Sequence, residues 1–156
     1  MSIDRREFIH LSGCSIAAIL LGSTVASGCT GSGTSSTPFA PSDSYHREGS
    51  KVIVHISRID NFKNPGEAVQ LSLPDSNGDG HKIILVHLRE DSYLAFENRC
   101  THRGKELNYL HNEESFACSG LRSRFDLSGN VLHPPAESPL QSYKVTADGR
   151  TLILFL

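Results

Sequence analysis

Past residue 30 the chain carries no stretch of apolar residues at helical spacing; they fall in short runs bounded by turn signals. That absence of a helical face constrains the fold more than any other feature. "KVIVHIS" (Lys51 to Ser57) alternates as a half-buried strand does, and "EAVQLSL" (Glu67 to Leu73), "KIILVHL" (Lys82 to Leu88) and "SYLAFE" (Ser92 to Glu97) read the same way. "QSYKV", "ADGR" and "TLILFL", running to Leu156, predict a closing hairpin. From about Arg99 to Pro139 turn-forming residues dominate, and a loop-rich insertion is expected. The expected class is all-β and mostly antiparallel, in one domain with a modest core, which is what 156 residues support.

The first fifty residues read differently. "DRREFIHLSG" sets Arg5-Arg6 just before Phe8-Ile9, and an apolar run, Ile16 to Ala26, follows. The run is too short to span a bilayer and suits the hydrophobic region of an export signal; the paired arginines resemble the bacterial Tat type. "ASGC" (Ala26 to Cys29) resembles a lipoprotein cleavage site, making Cys29 the residue to carry a lipid anchor; "LSGC", ending at Cys14, precedes the apolar run and is excluded on order. Residues 1–28 are therefore expected to be a signal peptide. Residues 29–50, rich in Gly, Ser, Thr and Pro, are expected to be a flexible tether, and the folded domain to span 51–156. The implied location is the periplasm or cell envelope of a bacterium, with attachment to a membrane through Cys29.

Charge narrows the function. Fifteen cations and seventeen acids are interspersed and leave a net charge of −2, so no basic face for nucleic acid is indicated. "DSNGDG" (Asp75 to Gly80) begins like a calcium loop, but Val86 stands where the bidentate glutamate is needed, and the flanks are strands. It is read as a hairpin turn. Of the histidines, His55, His81 and His87 fall on or beside strands, whereas His102, His111 and His133 fall in the insertion.

The insertion also holds Cys100-x-His102, fifteen intervening residues, and then Cys118. The arrangement resembles the Rieske iron–sulfur family, in which C-x-H on one loop is answered by C-x-x-H on a second. "RFDLSGNVL" (Arg124 to Leu132), "PAESPL" (Pro135 to Leu140), the closing hairpin and "NPGEAVQLSL" extend the likeness from about Lys51 to Leu156. The resemblance implies a small antiparallel β domain carrying a two-loop cluster-binding subdomain. It also implies a 2Fe–2S cluster with Cys100 and Cys118 on one iron and His102 on the other, and Ser123 hydrogen-bonding a bridging sulfide. Histidines in place of thiolates raise the potential of such a cluster. Phe125 stands where high-potential members have a tyrosine donor to sulfur, which implies a lower potential here.

Three positions depart from the pattern. Leu121 occupies the second histidine position, Arg122 replaces the following glycine, and Pro134 replaces a glycine in the covering loop. Two readings follow. In one the cluster is retained with a substitute fourth ligand, His133 first and His111 second. The chain is then a one-electron carrier or small oxidoreductase subunit without its own substrate pocket, serving a cytochrome or another envelope oxidoreductase. In the other the domain is cluster-free, Cys100 and Cys118 form a disulfide, and the role is structural or binding. The chain is too short to add the catalytic domain of a Rieske oxygenase.

Overall fold

The computed structural model describes residues 36–74, 80–120 and 122–156. The Tat-like segment with Arg5-Arg6, Cys14 and Cys29, most of the Asp75–Gly80 turn, and Leu121 lie outside the described residues.

Among the described residues eleven strands form two antiparallel sheets. The larger, ordered β1-β2-β11-β10-β5-β4-β3, comprises β1 (Tyr45–Glu48), β2 (Lys51–His55), β3 (Ala68–Leu73), β4 (His81–Arg89), β5 (Ser92–Glu97), β10 (Ser142–Asp148) and β11 (Thr151–Phe155). Strand β10 joins its halves: Ser142 and Tyr143 pair with β5, and Lys144 to Asp148 pair with β11. The smaller sheet is β6 (Leu107–Leu110), β7 (Ser115–Cys118), β8 (Arg124–Phe125) and β9 (Val131–His133) in sequence order. It was expected as loop because its strands are two to four residues long, below the length at which alternation registers.

Two cores share the central strands. Val52, Val54, Leu71, Ile83, Leu85, Leu152 and Leu154 fill the first with Phe62. Ile84, Val86 and Phe96, on the opposite face, pack against Leu107, Phe116 and Phe125 of the smaller sheet. Strand β4 is thus buried on both sides, which accounts for the unbroken "IILV" at Ile83 to Val86 where a half-buried strand would alternate.

The fold also begins earlier than composition suggests. Thr37 and Ser44 are buried, β1 pairs with β2, and Phe39 makes a parallel bridge to Gln70. The Thr37 segment is held by main-chain and side-chain hydrogen bonds despite having little to bury. Gln70 Nε2 donates to the Thr37 carbonyl at 2.8 Å, and the Tyr109 amide donates to Thr37 Oγ1 at 2.9 Å. Among the described residues no helix is long and apolar enough to cross a membrane.

Candidate metal centre

Each of the two cysteines opens a loop closed in the same way. The Cys100 amide donates to the Lys105 carbonyl at 2.7 Å, and the Cys118 amide to the Ser123 carbonyl at 3.0 Å. The first loop is tightened by a Gly104 amide bond to the Cys100 carbonyl, 2.7 Å, with Gly104 at φ +68. That left-handed conformation favours glycine, and a Cβ there would also crowd the Arg99 guanidinium. Strand pairing of Leu107 with Cys118 then brings the second loop beside the first.

The two thiols meet. Both are buried and free, at the far end of the second core. Burial pushes the Cys118 thiol up, and contact with Cys100 adds to it. The Gly120 amide and the Lys105 charge act in the opposite sense and favour the thiolate.

A third loop covers the pair. The Ala136 amide donates to Ser123 Oγ at 3.0 Å, and Thr101 Oγ1 donates to the Ser138 carbonyl at 2.7 Å, so this loop is fastened to both cysteine loops. Ser123 is 1% exposed, and among the described residues its own hydroxyl proton has no acceptor. Pro134 and Pro135, joined by a cis peptide, lead into this covering loop. Phe125 is fully buried in the second core and brings no hydroxyl toward the sulfurs.

Of the residues the sequence singles out, Cys100, Cys118 and Ser123 come together, whereas His102 lies exposed at the tip of its loop. No group of three or more His, Cys, Asp or Glu side chains among the described residues is arranged to hold a metal ion. Neither proposed substitute ligand is placed to help. His133 pairs with Arg124, which pairs with Ala117, so the three share one face of the smaller sheet. Cys118, one residue on from Ala117, projects to the other face with Phe116 and Phe125. His111 follows Leu110, at the opposite end of the β6–β7 hairpin from Cys118, and its ring lies against Gly66. Three strand residues separate the two ends, about 10 Å.

The donor set therefore fits one half of a 2Fe–2S cluster. Two adjacent buried thiols suit an iron, and Ser123 has a proton to give. On the imidazole side His102 is, among the described residues, the one histidine on the two cysteine loops, and leucine at position 121 has no atom that binds iron. What sequence reasoning missed is the lock on the covering loop. Thr101 and Ser138 carry no periodicity, and their bond becomes visible only when three separate loops converge.

Comparison with known proteins identifies the family. A cytochrome b6-f complex iron-sulfur subunit from Chlorobaculum thiosulfatiphilum is 26% identical over 73 residues, 47% of this chain and 40% of its own. The chain thus spans less than half the length of that relative. The plasma membrane Rieske protein PetC3 from Synechocystis PCC 6803 superposes with a TM-score of 0.47 at 22% identity, covering 56% of this chain and 86% of that one. The ferredoxin of carbazole 1,9a-dioxygenase from Nocardioides aromaticivorans IC177 gives 0.46 at 24% identity, covering 59% and 86%. The model of the Rieske [2Fe-2S] domain matches residues 54–144, more than half the sequence and all three loops around the thiol pair, and this chain belongs to that family.

Proposed function

We propose that the chain is a Rieske-type one-electron carrier of the bacterial cell envelope, exported by its Tat-like signal and anchored through a lipid on Cys29. The observation that carries this reading is the pair of buried thiols brought together by two similarly closed loops in a Rieske-family domain. A 2Fe–2S cluster bound there supplies the one-electron step. Cys100 and Cys118 would hold the inner iron and His102 the outer one. The chain's own part is to exclude water by burying the sulfurs, to offset part of the burial cost of the Cys118 thiolate through the Gly120 amide and the Lys105 charge, and to hold Ser123 buried beneath the covering loop. The resemblance to a cytochrome b6-f subunit supports a membrane cytochrome complex as redox partner, with a soluble oxidoreductase as the other candidate class. The protein is a carrier or small subunit with no chemistry of its own on a substrate.

A second reading is favoured by the missing imidazole: a cluster-free module in which Cys100 and Cys118 join. Such a bridge would close nineteen residues, worth about 3 kcal/mol by loop entropy.

One experiment separates the two. The protein is purified folded from cytoplasm, iron and sulfide are counted, and the EPR spectrum is recorded after dithionite. A reduced-cluster signal with two irons per chain supports the carrier. Absence of iron, with both thiols unreactive until reduced, establishes the module instead. In that event Leu121→His gains a Rieske signal only where the histidine is the sole missing part; a colourless variant assigns the closure to Arg122 and Pro134 as well.

A further inference from the structure

Five of the chain's fifteen cations fall on the loops around the thiol pair. The loops at 99–105, 118–124 and 133–140 carry five cations and one acid, Glu137, in a chain whose net charge is −2. Arg124 is taken up by an ion pair with Glu113. Arg99, Arg103, Lys105 and Arg122 are all exposed, and no ion pair among the described residues includes any of them. Two are pre-positioned: Arg99 lies over Gly104, and the Lys105 stem lies beside Gly120. Behind them an open groove of about 670 Å³ is bordered by Arg99, Lys105, Asn98 and Ser119. Its acid Glu106 is neutralised by Lys82, while Glu97 stands at the inner wall.

From this placement we infer that the three-loop face is a docking surface for an acidic protein, whose carboxylates meet Arg99, Arg103, Lys105 and Arg122 and enter the groove. The inference rests on the redox reading above and names the charge of the partner. Like-sign clustering on a chain of opposite net charge orients a partner as it approaches and raises the association rate. A lipid surface at the same place would press the loops against headgroups and close the route to the thiol pair, so a protein partner is the occupant consistent with electron exit there.

The test uses the full chain and a fluorescein-labelled oligoglutamate peptide, read by anisotropy, with iron counted in the same sample. The peptide should bind, and binding should weaken as salt rises from about 0.01 M to about 0.15 M, where the Debye length falls from roughly 30 Å to about 8 Å. Arg103→Glu/Arg122→Glu should weaken it roughly tenfold or more. Lys51→Glu/Lys144→Glu, an equal charge change at two exposed lysines on the larger sheet, should change it less than about twofold. No binding, or equal losses in the two variants, overturns the docking face. So does binding of phosphatidylglycerol vesicles through these loops while the peptide is ignored, which assigns the cations to lipid. Peptide binding without iron keeps the docking face and removes the redox reading, and iron without peptide binding does the reverse.

Discussion

Replacing Asn98 by alanine should both destabilise the domain and loosen the Cys100 loop, because one side chain satisfies two buried groups. Asn98 Nδ2 donates to Gln70 Oε1 at 2.7 Å, and Asn98 Oδ1 accepts the Leu107 amide at 2.7 Å. All three residues are buried, and Gln70 continues the chain to the Thr37 carbonyl. This polar relay ties β3 of the larger sheet to β6 of the smaller one, two residues from a candidate iron ligand. Truncation leaves the Leu107 amide and the Gln70 carbonyl unpaired at about 1–3 kcal/mol each, so the loss should be about 2–6 kcal/mol, toward the lower end where a water enters the gap. With an m-value near 2 kcal/mol/M, the urea midpoint should fall by about 1 M or more at unchanged m. Reaction of Cys100 and Cys118 with a thiol reagent, after removal of any metal and reduction, should speed up in native buffer. In a Gln70→Leu background Asn98→Ala orphans only the Leu107 amide, and its cost should fall by about half. A loss under about 1 kcal/mol, or one unchanged by Gln70→Leu, would refute the relay.

Ser123→Ala removes the acceptor of the buried Ala136 amide. It should cost about 1–3 kcal/mol in urea unfolding and release the covering loop to faster hydrogen exchange at Ala136. Gly66→Ala places a Cβ into the His111 ring at a residue with φ +90, and should destabilise by more than the roughly 1 kcal/mol of left-handed strain alone. Adding His111→Ala should return the part due to overlap, and a cycle showing no coupling would deny the contact. Burial, followed by the Glu97 charge, pushes the Tyr143 phenol up to about 12. Its folded pKa exceeds the unfolded value near 10, so the associated stability is whole below pH 10 and is lost as pH rises toward 12. Urea melts across that range should show the decline, and Tyr143→Phe should flatten it. Burial pushes the Asp126 carboxyl up, but hydrogen bonds from Asn130, Ser128 and Gly129 outweigh it and hold the group below the usual range. Stability from that turn is present above the unfolded pKa near 3.9 and is lost as pH falls through the lower folded value; Asp126→Asn should blunt the loss in acid melts.

The long strands were legible because each presents enough residues for alternation or a continuous apolar run to emerge, as from Lys51 to Ser57 and in the closing hairpin. Strand β8, two residues long, gives no such signal and exists because Phe116 and Phe125 pair across it. The tether boundary at residue 50 came too late for a similar reason. Thr37 contributes hydrogen bonds, which composition does not register. At the site, the spacing and the Rieske resemblance it carries singled out Cys100, His102 and Cys118 as the expected ligand set. The outward position of His102, and the placement of His133 and His111 away from the sulfurs, depend on strand register and hairpin length.

By itself the sequence determined an all-β domain of the Rieske family and the leucine at position 121. The all-β class follows from periodicities and turn residues that act locally, the family from a resemblance carried by the cysteine–histidine spacing and the motifs around it, and the leucine is a matter of which atoms a side chain possesses. Tertiary structure decided which thiols meet, which loops cover them, and where the charge collects. Cys100 and Cys118 are eighteen positions apart in the chain yet interact in the second core, because β6 and β7 fold back on one another. Five cations from two separate stretches of the chain come onto one face because the loops that carry them converge, and side-chain charge sums over space, whatever the order of residues.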